Sequence, residues 1–162
     1  MSRAPARSRN RLQEVLLDEA TIPRGVADRD HERAVSIFDL VEDNSFAVRG
    51  RDEGPYSLTI AQSESRLTFD VRSKTGERIA EFAVSMTPFR PLLKDYFLVC
   101  DTYFSAIRTA SPRQIEAIDR ERSTLHNEGA ELFAARVGEG IELDKDTARR
   151  LFTVISALHW KT

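Results

Sequence analysis

Cysteine occurs once in the 162 residues, tryptophan once, histidine three times and glycine seven times, and each scarcity closes off a class of chemistry. A lone Cys100 forms no internal disulfide and no thiolate metal cage, which fits a reducing compartment. His31, His126 and His159 are far apart in the chain, so the paired imidazoles of a zincin helix are missing. His126-Asn127-Glu128 resembles half of a zinc deaminase signature, yet the Pro-Cys-x-x-Cys half is absent. The few glycines make neither a phosphate-cradling loop nor a dinucleotide turn, and Gly138-Glu139-Gly140 comes nearest and fails. Gly-x-Ser-x-Gly is absent, which excludes the serine-hydrolase elbow. The acidic pairs Asp28 with Asp30 and Asp144 with Asp146 have neither the third oxygen ligand nor the glycine of a calcium loop, and they read as helix caps. No cofactor and no metal site is expected. No run approaches the ~18 apolar residues of a membrane span, and the amino terminus shows no secretory h-region, so a cytoplasmic protein without membrane association is expected.

What is present is a balanced chain: 41% hydrophobic, 31% charged, 24 basic against 26 acidic residues. The length suits one domain with a substantial core. Arg3, Arg7, Arg9 and Arg11 precede the first acid, Glu14, so residues 1–11 read as a basic disordered tail and residues 12–162 as a single α+β domain.

Val15 to Leu17 suggests a short strand. A first helix follows, capped by Asp28 or Asp30, with Ala34, Ile37, Phe38 and Val41 at three-and-four spacing and Asn44 as its end. The period then turns to alternation. Tyr56, Leu58 and Ile60, then Leu67, Phe69 and Val71, then Ala80, Phe82, Val84 and Met86 predict an antiparallel meander, with Thr59, Asp70, Arg72 and Glu81 on its watery face. Three carboxyl-terminal helices are expected to pack on the other face. Thr87-Pro88 opens the first, the Thr87 hydroxyl as its cap before a proline at the first helical position, with a stripe from Phe89 through Leu93, Tyr96, Cys100 and Phe104 to Ile107. Ser111-Pro112-Arg113-Gln114 is a capping box that opens the second, and Asp144 can cap the last. Cys100, on an apolar stripe, reads as core.

One polar feature interrupts this pattern. The inward face of the helix after Ser111 comprises Ile115, Ile118, Arg122, Leu125, His126, Gly129, Leu132 and Phe133, with Asp119 at its edge. An unpaired buried guanidinium is costly, so Arg122 must meet a carboxylate, reach solvent or await an anion. Asp119 on the same ridge is the nearest partner, and Asp95 the next. Either Gly129 permits close approach of another backbone, or Asn127 to Gly129 divides two shorter helices. Asp119, Arg122, His126 and Glu128 form the candidate anion or polar site, and Trp160 the candidate partner surface.

Asp30-His31-Glu32-Arg33-Ala34, Ile37-Phe38-Asp39-Leu40, Thr87-Pro88-Phe89-Arg90, Lys94-Asp95-Tyr96-Phe97, the run AIRTASPRQIEA from Ala106 to Ala117, Leu125 to Gly129, and the run TARRLF from Thr147 to Phe152 form a distinctive set. Together they resemble uncharacterised protein family number 0262, small alphaproteobacterial proteins, over nearly everything from Leu12 to Trp160. The resemblance implies a small bacterial cytosolic protein and supplies no catalytic residues to carry over.

Three functional readings follow. A non-catalytic binding or regulatory domain with a protein partner comes first, because no nucleophile, metal cage or phosphate loop survives. In the second, an enzyme holds a small anionic substrate with Arg122, moves a proton with His126, and orients the imidazole with Asp119 or Glu128. In the third and least favoured, the basic tail touches nucleic acid. Oligomeric state has no signal in the sequence.

Overall fold

A computed structural model describes residues 8–159. Alternation of apolar and polar residues builds the central sheet. Strands β3 (Tyr56–Ser63), β4 (Arg66–Arg72) and β5 (Arg78–Ser85) form the expected antiparallel meander. Tyr56, Leu58, Ile60, Leu67, Phe69 and Val71 point into the core, while Thr59, Asp70 and Glu81 sit in register on the outer face. Asp70 there accepts from Arg72 at 3.0 Å and from Arg78 at 3.3 Å.

The sheet is mixed rather than purely antiparallel. Strand β1 (Leu12–Leu17) lies beside β3 in parallel, Val15 against Leu58 and Leu17 against Ile60, giving the order β1-β3-β4-β5. Parallel neighbours need a crossover, and the chain between them includes α1 (Ala27–Glu42). A second small sheet, β2 (Phe46–Val48) against β6 (Ile141–Leu143), ties residues remote in sequence. Asn44, the expected end of α1, does more than stop the helix. Its side-chain oxygen accepts from Leu12 N at 2.7 Å while its amide donates to the Leu12 and Leu40 carbonyls, pinning β1 to the helix end. Of the basic tail, residues 8–11 are described. Arg9 pairs with Asp52 at 3.8 Å, the Asn10 carbonyl accepts from Phe46 N, and a Cβ at Gly54 would collide with the Arg9 carbonyl.

The helical layer is α2 (Arg90–Thr109), entered through a 3₁₀ turn at Thr87–Phe89, then α3 (Pro112–Arg136) and α4 (Lys145–His159). Two caps match the sequence. Ser111 and Gln114 complete a reciprocal capping box, and Asp144 accepts from Thr147 N at 2.8 Å. Two others do not. Val26, without a capping side chain, precedes α1, and Asp30 instead accepts from Gly25 N at 2.9 Å. No side chain caps the start of the 3₁₀ turn or of α2, where Ser85 accepts from Thr87 N. Helix α3 runs unbroken through Gly129.

Helix α1 corrects the sequence reading most sharply. Its buried residues are Arg33, Ser36 and Leu40; of the expected stripe, Ile37 and Val41 are half-buried against the core, whereas Ala34 is exposed and Phe38 is 64% exposed. At ~100° per residue the inward face lies roughly a third of a turn from the apolar stripe. Arg33 explains the rotation. It donates to the Pro23 carbonyl at 3.1 Å and the Leu158 carbonyl at 3.5 Å, and lies 3.8 Å from Asp30, joining the loop before α1 to the end of α4.

Candidate functional site

Helix α3 packs against both α2 and α4, and α1 packs against α4. Antiparallel packing sets the α2 aromatics against the polar residues of α3. The Arg122 guanidinium carbon lies 3.9 Å from the centre of the Tyr103 ring, and its Nη2 donates to Asp119 at 2.6 Å. Arg122 therefore has a carboxylate and a π face, and its side chain is 29% exposed against 48% for Asp119. A half-exposed pair of this kind is worth about 0.2–1 kcal/mol, with a similar increment from the ring. Arg122→Met is accordingly expected to lower stability by at most about 2 kcal/mol in urea titration. A loss above about 2 kcal/mol would reveal a truly interior charge.

His126, one turn further along, is half-buried between Tyr96 at 5.8 Å and Phe152 at 5.3 Å between ring centroids. Its Nε2 lies 2.8 Å from Thr153 Oγ1, and Thr153 donates its one hydroxyl proton to the Arg149 carbonyl at 3.0 Å. The arrangement satisfying both contacts places the imidazole proton on Nε2. Nδ1 is then an acceptor, enclosed and without a hydrogen-bond partner. Burial, reinforced by Arg149 and Arg122, pushes the His126 pKa down to about 4. Burial also lowers His159, despite its contact with the Ile155 carbonyl.

The sign of the pH dependence follows. An unfolded chain protonates these imidazoles near pH 6.5, whereas folded His126 does so only near 4. Between those values the unfolded state binds more protons, so stability is full above about pH 6.5 and drains away as pH falls towards 4. Urea unfolding at stepped pH is expected to show this slope, shallower in His126→Gln. An equal slope in both proteins would contradict it.

The remaining candidates are dispersed. Glu128, on the same helix, is exposed, and its carboxylate has no hydrogen bond or ion pair with another described residue. Trp160 lies outside the described residues. Asp95 is exposed and is not the partner of Arg122. Cys100 is buried, and that burial raises its thiol pKa, while burial also raises that of Tyr96. Among the described residues no group of three or more histidine, cysteine or acidic side chains could hold a metal ion. No helix among them is long and apolar enough to cross a membrane.

A cleft of about 610 Å³ opens beside Arg122. Helix α1 supplies Asp28, Arg29, Glu32, Val35 and Asp39 to one side; Tyr96, Cys100 and Phe104 of α2 form another; Thr153, Ser156 and Ala157 of α4 line it as well. A hollow of about 390 Å³ shares Ser36, Asp39 and Thr153 with it and runs towards Asp43 and Arg150, which are paired at 3.6 Å. Sequence reasoning found Arg122 but not the α1 wall. The available signal was the three-and-four spacing of Asp28, Glu32, Val35 and Asp39, which puts them on one ridge.

A model of the family described as Uncharacterised protein family (UPF0262) matches residues 9–161. A UPF0262 protein of Xanthobacter autotrophicus is 55% identical over 157 residues, covering 96% of each chain. One from Methylobacterium radiotolerans is 53% identical over 155 residues, again 96% of each, and one from Hyphomonas neptunium is 51% identical over 150 residues, 93% of each. No solved structure matches the chain. Coverage of this extent, by both the family model and its relatives, shows that the chain belongs to the uncharacterised protein family UPF0262.

Proposed function

We propose that this protein is a non-catalytic binding domain whose site is the cleft bounded by α1, α2 and α4. The observation that carries the reading is the cleft's wall chemistry. Val35 is 42% exposed and Phe104 58% exposed at its sides, next to charged groups on α1. Apolar walls with a few polar groups are what a recognition site requires. Arg122 has its carboxylate already, and His126 holds Thr153 through Nε2 while its Nδ1 is enclosed, so neither group stands open to an anionic substrate.

The reading is tested by placing a benzophenone amino acid at position 35, 104 or 74 and irradiating source cells. Adducts of one common species are expected from positions 35 and 104 but not from the exposed sheet turn at Lys74. Equal labelling from all three positions, or none from the cleft, would overturn the reading.

A further inference from the structure

We infer that the cleft receives a basic amphipathic helix of a partner protein; the inference rests on the cleft being the binding site. Four residues of α1, Asp28, Glu32, Val35 and Asp39, all line the cleft, and their spacing places them on a single ridge. The three carboxylates have no ion pair or hydrogen bond with another described residue; Arg29 on the same wall offsets one of them, which leaves the α1 side of the cleft net negative. Of the two cleft arginines, Arg122 is already matched by Asp119. The acidic side therefore dominates the local field. A bound anion would be repelled along the α1 ridge, whereas ammonium or guanidinium groups would be drawn to it.

The opposite wall fits the other half of such a helix. Tyr96, Cys100 and Phe104 follow one another at four-residue spacing along α2, and Phe104 remains more than half exposed. Ser156 and Ala157 present small side chains from α4, which allow a backbone to come close. The cleft is bordered by helix side chains, which favours apolar anchors spaced i, i+3, i+4 and i+7 over the addition of a β-strand. The 16 residues of α1 offer about 24 Å of flank, enough for roughly four helical turns alongside.

The test uses fluorescence anisotropy of the full chain with two labelled 18-residue helices sharing a leucine face, one with lysine and one with glutamate on the polar face. At about 0.05 M salt the Leu/Lys helix is expected to bind at least about tenfold more tightly, a preference that shrinks severalfold by about 0.5 M. Reversing the ridge with Asp28→Lys, Glu32→Lys and Asp39→Lys together should invert the preference, and Phe104→Ser should weaken both helices about tenfold. All four positions are exposed or partly so in a helix, and superimposable melting curves establish that the variants fold. A preference untouched by the triple reversal overturns the basic partner, even when Phe104→Ser still weakens binding and the cleft crosslinks persist. Loss of those crosslinks with helix binding insensitive to Phe104→Ser overturns the binding cleft itself. A Phe104-dependent dimer in sedimentation velocity that excludes the Leu/Lys helix overturns the proposal in favour of a second copy of this chain.

Discussion

Phe152→Ala is expected to remove about 3–5 kcal/mol of folding stability, the largest single effect forecast for this protein. The ring is fully buried and lies among Phe89 at 6.4 Å, Tyr96 at 5.7 Å and His126 at 5.3 Å between centroids. It thus joins α4 to the turn before α2, to α2 itself and to α3. Removing it loses the transfer free energy of an aromatic side chain and leaves a cavity that three separate elements would have to close. For a chain of this size the change corresponds to roughly 6–20 °C in Tm, measurable by calorimetry with a matching urea titration. A loss below about 1 kcal/mol would mean that the helical layer can collapse onto the vacancy. Because the ring also packs on Tyr96 and His126, the variant is expected to loosen the cleft wall as well as the core.

Gly129→Ala is expected to destabilise by about 1–3 kcal/mol, reversing the gain of about 1 kcal/mol that this exchange normally brings within a helix. A Cβ at Gly129 falls on the Phe152 ring, at atoms Cε1, Cζ and Cδ1. That ring is confined by the neighbours just named and has nowhere to retreat. The glycine therefore permits α3 and α4 to pack closely, and its conformational cost is the lesser of two penalties. The coupling is directly testable by a double-mutant cycle. In the Phe152→Ala background the collision is gone, and Gly129→Ala should turn stabilising by about 1 kcal/mol. A stabilising effect in both backgrounds would show that the ring moves freely.

The two forecasts bear on function through geometry. The Gly129–Phe152 contact sets the separation of α3 and α4, and His126 and Arg122 follow from the same helix face on the preceding two turns. The Thr153 hydroxyl that engages His126 is the residue next to Phe152. Positioning of the polar residues is thus a by-product of core packing, which is why a cleft-lining arginine and a half-buried imidazole can coexist with an apolar interior.

Local chemistry was legible in the residues. Alternation identified the three meander strands, Ser111-Pro112-Arg113-Gln114 announced its reciprocal cap, Asp144 its helix start, and Asp119 its place three residues before Arg122. Each depends on groups within a few positions of one another, where backbone geometry alone fixes who can touch whom. Gly129 could be read as a close approach, but not as an approach to Phe152.

Contacts between distant segments were decided only in three dimensions. The parallel pairing of β1 with β3, the β2–β6 ladder, the inward turn of Arg33 and the cleft between α1 and α2 all join residues that no periodicity links. A helix stripe tells which residues prefer burial, but the neighbours available determine which face obtains it. In α1 the carbonyls of Pro23 and Leu158 drew an arginine inward and left Phe38 and Val35 outside. The sequence by itself determined the meander strands, the four long helices and the caps of α3 and α4. The tertiary structure decided which surfaces those elements leave open, because exposure is a property of pairs of elements and not of any one of them.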